Sequence, residues 1–323
     1  MIIEKAKSEY CAYRIPGLVM VENDALHSTL LGCYECRKSS GSDWGEIDLK
    51  IIRSTDSGEN WETVEVVHGN GDTLNNPVMV YCGKTLHFLY CRNYKRLYHR
   101  VSDDGGSSFS EPADITEVFE SGGFFYNAAA IGPGHGIVKS GTIIIPVWFA
   151  DNREDTKAHR PSFVRTIYSC DGGRSWKLGE RVDDDRQGEC LINPSECALA
   201  EWNGEVIVSI RNENPERARC FAFSNSGTEG WKNHVFAPAF PDPICQGSMC
   251  VRGSTLFHIN CASQSQRENL TLNIVEKGSN SRMEILVDKR GGYSDIAADD
   301  EFVYVLYERD VLEDGLYFTK IKY

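Results

Sequence analysis

The stretch NPSECALAEWNGEVIVSIRNEN, residues 193–214, decides how the chain is read. Asn203 and Gly204 both tolerate the positive φ of a type I′ turn, so they predict a two-residue hairpin loop. Counting outward from that loop, Trp202 faces Glu205 and Glu196 comes opposite Arg211. Directly paired residues project from the same face of a sheet, with Cβ atoms roughly 5 Å apart. The middle of the hairpin (Ala198, Leu199, Ile207, Val208) is largely apolar. An acid and an arginine thus stand together at the open end of a buried hairpin. In isolation that is most often a structural ion pair; here the rest of the chain turns it into a site.

Helical periodicity is nearly absent, and short β-branched or aromatic runs alternate with Gly, Asp and Asn. The octet S-x-D-x-G-x-x-aromatic recurs as STDSGENW (54–61), SDDGGSSF (102–109) and SCDGGRSW (169–176), with a worn copy, SNSGTEGW, at 224–231. Asp56, Asp104 and Asp171 suit a tight turn as acceptors of backbone N–H groups, the glycine supplies positive φ, and the aromatic packs beneath. These octets are structural. Hairpins like the first open near Arg14, Asn76, His135, Glu196, Gln246 and Tyr293. Six units of about 45 to 60 residues predict an all-β, six-bladed β-propeller of four-stranded antiparallel blades. It is expected to be a single propeller domain over residues 1–323, with no separate lectin or linker domain.

In an up-down blade the start of strand one, the end of strand two and the start of strand three share one face. That bookkeeping places Arg14, Arg37, Asp43, Glu196, Arg211, Arg267 and Tyr293 on one surface, with Glu308 at the upper end of its strand, and puts the octet turns on the other. Arginines from different blades around one depression would make a carboxylate receptor, because guanidinium forks grip a carboxylate bidentately and stay charged. The net charge of −13 argues against nucleic acid or an anionic membrane as partner. An acidic small ligand would need such a local arginine cluster.

The twelve cysteines are scattered singly along apparent strands. Cys33 and Cys36 form one C-x-x-C with no second pair at zinc spacing and read as strand residues. Free thiols suggest a reducing compartment. No apolar run is long enough to span a bilayer, and no signal-peptide core follows Met1. A cytoplasmic location is therefore expected, with secretion after loss of a leader as the alternative. No metal or other cofactor is expected. The acidic runs 183–185 and 299–301 read as solvated turns, His135 as a turn residue, and Tyr94, Tyr98, Phe124, Phe125, Tyr126 and Trp148 first as core or loop packing, with shaping of one side of the pocket as the alternative.

Taken in order, these motifs resemble the exo-α-sialidases with Asp-box (BNR) repeats. Tyr13-Arg14-Ile15-Pro16 is similar to that family's F/Y-R-I-P motif, Glu35-Cys36-Arg37 to its E-x-R segment, and the octets to its Asp-boxes. Residues 132–137 (GPGHGI), Asn193-Pro194-Ser195-Glu196, Arg211-Asn212, residues 267–271 (RENLT) and Gly292-Tyr293-Ser294 extend the likeness over nearly the whole chain. The resemblance implies that Arg14, Arg211 and Arg267 hold the carboxylate of a terminal sialic acid and that Arg37 lines the pocket near the 4-hydroxyl. It implies Asp43 as general acid/base, Tyr293 as nucleophile and Glu196 as the base that activates it. Where many relatives have Asp-Pro this chain has Asn76-Pro77, whose amide can still bond that hydroxyl. The implied reaction is retaining hydrolysis through a tyrosyl intermediate, a known exception to the two-carboxylate scheme. The implied partners are sialic-acid-containing glycans or oligosaccharides. Alternatives are hydrolysis of a related nonulosonic acid such as the deaminated sugar, transfer to a sugar hydroxyl as in a trans-sialidase, and a non-catalytic sialoglycan-binding propeller.

Overall fold

Strands this short cannot bury a face alone, and they stack as six antiparallel sheets around an axis. The structure, a computed structural model, describes residues 1–24, 27–183, 191–279, 281–310 and 312–323. From the axis outward, blade I is Ala12–Asp24, His27–Arg37, Ile47–Ser54 and Glu62–Val67. Blade II is Leu74–Cys82, Thr85–Arg92, Arg96–Ser102 and Ala113–Asp114. Blade III begins at Ala128–Ile131 and continues through Thr142–Ala150, Ser162–Ser169 and Lys177–Arg181. Blade IV is Cys197–Trp202, Glu205–Ile210, Ala218–Ser224 and Lys232–Pro241, and blade V is Ser248–Arg252, Thr255–Cys261, Glu268–Glu276 and Arg282–Arg290. Blade VI is Ser294–Ala298, Phe302–Arg309 and Gly315–Lys322, and its outermost strand is Ile2–Lys5 from the other end of the chain. Innermost strands of successive blades pack side by side, and that of blade VI packs against that of blade I, closing the ring.

The register of the opening hairpin is as expected. Asn203 and Gly204 have φ of +55° and +84°. Trp202 pairs with Glu205 and Cys197 with Ile210, and the Arg211 N–H donates to the Glu196 carbonyl at 3.1 Å. Blade III departs from expectation. Its first strand opens at Ala128 rather than near His135, and residues 132–136 leave the sheet before Ile137–Lys139 rejoins it. During that excursion Gly134 and His135 pair in parallel with Val78 and Met79 of blade II. His135 is therefore a strand residue, and its ring bonds Asp295 at 2.8 Å.

All four octets join strand three to strand four of their blades. In the first, Asp56 Oδ1 accepts from Ser54 Oγ at 2.8 Å and from the Asn60 N–H at 2.9 Å, while Ser54 Oγ accepts from the Gly58 N–H at 2.9 Å. In the worn copy Ser226 Oγ takes the Thr228 and Glu229 N–H groups at 3.1 and 3.2 Å, replacing the aspartate. The glycine does two things. Gly106 sits at φ +82°, and a Cβ there would lie 2.2 Å from Leu31 of the preceding blade; at Gly58 it would meet Phe318 of blade VI at 2.2 Å. Each turn is thereby pressed onto its neighbour. One acidic run differs from expectation: Asp183 is buried and accepts from the Val164 N–H at 2.9 Å and from Arg181 at 2.7 Å. Asp184 and Asp185 lie outside the described residues. No helix among the described residues is long and apolar enough to cross a membrane.

Candidate active site

The face opposite the octets carries a pocket of about 240 Å³ bounded by all six blades, with Arg14, Asp43, Asn76, Glu196, Arg211, Arg267 and Tyr293 in its wall. The centre of the constellation is Tyr293, immediately before the inner strand of blade VI and 5 % exposed. Its hydroxyl lies 2.7 Å from both Glu196 oxygens and accepts from Arg211 Nη1 at 2.7 Å. Arg211 Nη1 also bonds Glu196 Oε2. The Cζ atoms of Arg14 and Arg267 stand 5.0 and 5.1 Å from the centre of the Tyr293 ring. Arginines from blades I, IV and V thus converge on one phenol.

Burial pushes the Tyr293 phenol up; Arg211 opposes this, Glu196 adds to it, and Arg267 and Arg14 oppose it again, leaving the phenol above its ordinary value. It is therefore a neutral donor to Glu196 in the free protein. Asp43 sits in the loop before the third strand of blade I, 3.6 Å from Arg14 Nη1 and 2.8 Å from Arg37 Nη2. Burial would raise its carboxyl, but Arg37 and Arg14 outweigh that and hold it below the usual carboxylate value.

Arg37 is not in the pocket wall, contrary to expectation. It is 1 % exposed and lies behind Asp43, with Nε and Nη2 on Glu35 Oε2 at 3.0 and 2.7 Å. Its Nη1 bonds the Gly41 carbonyl, so Glu35, Asp43 and that carbonyl together fix the guanidinium. Asn76 does line the pocket, at φ +52°, with its N–H on Glu35 Oε1 at 3.0 Å and its Oδ1 accepting from Asn75 Nδ2 at 3.1 Å.

Glu308 belongs to the site although it was not among the expected ligands. Wholly buried, it takes Arg14 Nε and Nη2 at 3.1 and 3.3 Å and the Ile15 N–H at 2.8 Å. Ile15 has φ +57°, a strained conformation for a β-branched residue, which these bonds hold in place. The signal for Glu308 was available: an acid within FVYVLYER, opposite Tyr293 by count. Removing one partner of a buried pair leaves an uncompensated charge, so Glu308→Ala is expected to destabilise the fold by about 3–5 kcal/mol. Denaturant unfolding measures this, and a loss well under 1 kcal/mol would rule out a structural role for the pair.

The far wall is aromatic. Tyr94, Trp148 and His159 line it, with ring centroids 4.8 Å apart for Tyr94–His159 and 5.1 Å for Trp148–His159. Tyr94 and Trp148 were expected first as packing, with a pocket-shaping role as the alternative, and His159 carried no sequence signal. At the rim Glu213 bonds Arg160 at 3.1 Å and Asn193 at 2.9 Å. Among the described residues no group of three or more His, Cys, Asp or Glu is placed to hold a metal ion.

Residues 29–305 match the BNR repeat-like domain family. The chain belongs to that family. A sialidase of Bacteroides fragilis is 26 % identical over 96 % of this chain and 62 % of its own length. The chain thus spans about three fifths of that relative, 62 %. Among solved structures, the Hadza microbial sialidase Hz136 superposes with a TM-score of 0.81 at 24 % identity, covering 97 % of this chain and 66 % of that one. The Trypanosoma rangeli sialidase in complex with 2,3-difluorosialic acid, described as a covalent intermediate, gives 0.76 at 19 % identity over 96 % and 54 %. The propeller fold and the BNR repeats inferred from the motifs are the ones found.

Proposed function

We propose that this BNR repeat-like chain is an exo-α-sialidase whose single propeller, residues 1–323, hydrolyses terminal sialic acids from glycans with retention of configuration. The observation that carries this reading is the Tyr293 hydroxyl 2.7 Å from Glu196, beneath guanidinium groups from three blades. A pocket walled by every blade accepts the end of a glycan rather than its middle. Arg14, Arg211 and Arg267 bind the sugar's carboxylate, each charge-assisted bond contributing roughly 1.5–3 kcal/mol, while Asn76 is placed for a ring hydroxyl.

A carboxylate nucleophile would be repelled by a substrate with a carboxylate at the reacting carbon. A neutral phenol approaches without that penalty. Glu196 takes the phenol proton as the oxygen attacks, and the surrounding arginines favour the developing phenolate. Asp43 gives its proton to the leaving oxygen and later takes one from water as the tyrosyl intermediate is hydrolysed. The covalent intermediate reported for the Trypanosoma rangeli protein supports this route. The test is turnover of an aryl α-sialoside, with NMR following the anomer first released. Release of the retained anomer is expected; release of the inverted one would exclude a tyrosyl intermediate, and no turnover across a sialoside panel would exclude the activity.

A further inference from the structure

Glu196 and Arg211 orient Tyr293 at its hydroxyl, and a second set of contacts fixes the main chain around it. The Tyr293 N–H lies 3.4 Å from Glu308 Oε2, and its carbonyl accepts from the Glu308 N–H at 2.8 Å. Ser294 comes next, as the first residue of the inner strand of blade VI. The edge of that strand facing away from Phe302–Arg309 has no strand partner among the described residues. A buried peptide unit on such an edge must find its hydrogen bonds elsewhere. Ser294, wholly buried, finds both in one side chain. Its N–H donates to Gln246 Oε1 at 3.0 Å, and Gln246 Nε2 donates to its carbonyl at 3.0 Å. The primary amide thus stands in for a strand residue, and it comes from blade V, two residues before that blade's inner strand.

Gln246 is itself firmly held. It is 1 % exposed and stands outside the pocket wall. Cys245 before it has its N–H on Asp242 Oδ1 at 2.9 Å and its carbonyl on Arg219 Nη1 at 2.7 Å. Ile244 is kept at φ +64°, a conformation that a β-branched residue holds only where its surroundings impose it. A Cβ at Gly247 would lie 2.9 Å from the Ile259 carbonyl oxygen, so the segment is pressed onto the second strand of blade V. Ser248 Oγ then donates to Asp295 Oδ1 at 2.5 Å, one residue beyond Ser294. We propose that, given the sialidase reading, Gln246 is a positioning residue: it fixes the main chain from which the Tyr293 phenol reaches the anomeric carbon. While the phenol is neutral, its bond to Glu196 holds it in place. As Glu196 takes the proton and the oxygen advances on the sugar, that bond gives way, and the main chain governs the remaining distance. A displacement of about 1 Å can lower a rate about a hundredfold. Because Gln246 lies outside the pocket wall, its loss falls on kcat and not on binding.

The test compares Gln246→Met and Gln246→Glu with the wild type, each as the whole chain. Methionine fills similar space and leaves the Ser294 N–H and carbonyl without that partner. Its kcat on an aryl sialoside is expected to fall at least about tenfold, with KM and the affinity for free sialic acid changed less than about threefold. Amide exchange over Ser294–Ala298, followed by mass spectrometry, is expected to quicken at least about tenfold while blades II and III keep their rates. A protonated carboxyl offers one donor and one acceptor, as the amide does. Gln246→Glu is therefore expected to recover most of the lost kcat at about pH 5 and to fall at least about fivefold relative to the wild type by about pH 8, as the introduced carboxyl ionises. The charged groups bonded to the residues around this contact are Arg219 and Asp242 at Cys245, Asp295 at Ser248 and Glu308 at Tyr293. Unchanged kcat in the methionine variant would overturn the proposal, as would lower thermal stability with kcat per folded molecule intact. Should that variant not fold, a rate ratio for Gln246→Glu that stays constant with pH would overturn it instead. The exchange arm needs no substrate. Quickened exchange with no turnover by the wild type would sink the sialidase reading and the positioning role with it, whereas wild-type turnover with kcat unchanged in the variants would sink the positioning role alone.

Discussion

Tyr293→Phe is expected to lower kcat on an aryl sialoside by at least about a thousandfold, roughly 4 kcal/mol of transition-state stabilisation. The substitution removes one oxygen and leaves the ring on which Arg14 and Arg267 lie, at 5.0 and 5.1 Å. Glu196 loses one partner but keeps its ion pair with Arg211, so the protein should still fold. Affinity for the free sugar acid should change by less than about threefold, roughly 0.7 kcal/mol, because the carboxylate contacts are untouched. Stopped turnover with intact binding is the signature of a lost nucleophile. A Phe variant with wild-type kcat would remove Tyr293 from that role, whereas loss of both binding and turnover would point to a collapsed arginine cluster.

For Asp43→Ala the size of the effect depends on the leaving group. General acid catalysis contributes about 10²–10⁴-fold, and a leaving group that departs unprotonated needs little of it. Natural glycosides should therefore lose at least about a hundredfold, and sialosides of acidic phenols less than about tenfold. The pH dependence has a definite sign. Arg37 and Arg14 overcome the effect of burial and hold the Asp43 carboxyl low, so the protonated form that donates becomes scarcer as pH rises. kcat/KM on natural glycosides should fall with increasing pH through the acidic range, and Asp43→Ala should abolish that limb. In the complex the substrate's carboxylate takes up part of the Arg14 field, so the corresponding limb of kcat lies at higher pH. Equal losses on both substrate classes would remove Asp43 as the acid.

The fold was legible because its punctuation is local. Asn203-Gly204 pins one register, and with it the meeting of Glu196 and Arg211. The octets carry their own hydrogen-bond acceptors and mark the return from strand three to strand four in blades I to IV. Blade III was misread because its first strand, Ala128–Ile131, has no turn signal of its own. The visible hairpin at Ser140-Gly141 belongs to its second fragment. Residues 132–136, five in number, stand against only Ile145 and Pro146 on the partner strand, a mismatch that no periodicity announces. Side chains at strand ends could be counted onto the right face, but their depth could not. Arg37 and Arg14 occupy the same end of the same blade, yet only Arg14 reaches the pocket, because Glu35, also buried, draws Arg37 inward. His159 escaped notice for the complementary reason, since Trp44 and Tyr94, which meet it and Trp148 there, come from other blades.

The strand Ile2–Lys5 is hydrogen-bonded to Gly315–Lys322 as the outer edge of blade VI. During synthesis Ile2–Lys5 must therefore wait, as an unpaired edge, until Gly315–Lys322 has emerged. Contacts so remote in sequence are slow to form, and bare edges recruit other chains meanwhile. The chain is thus most exposed to aggregation in the interval before that pairing forms, and a chaperone that shields Ile2–Lys5 meanwhile would raise its yield more than one acting on the finished ring.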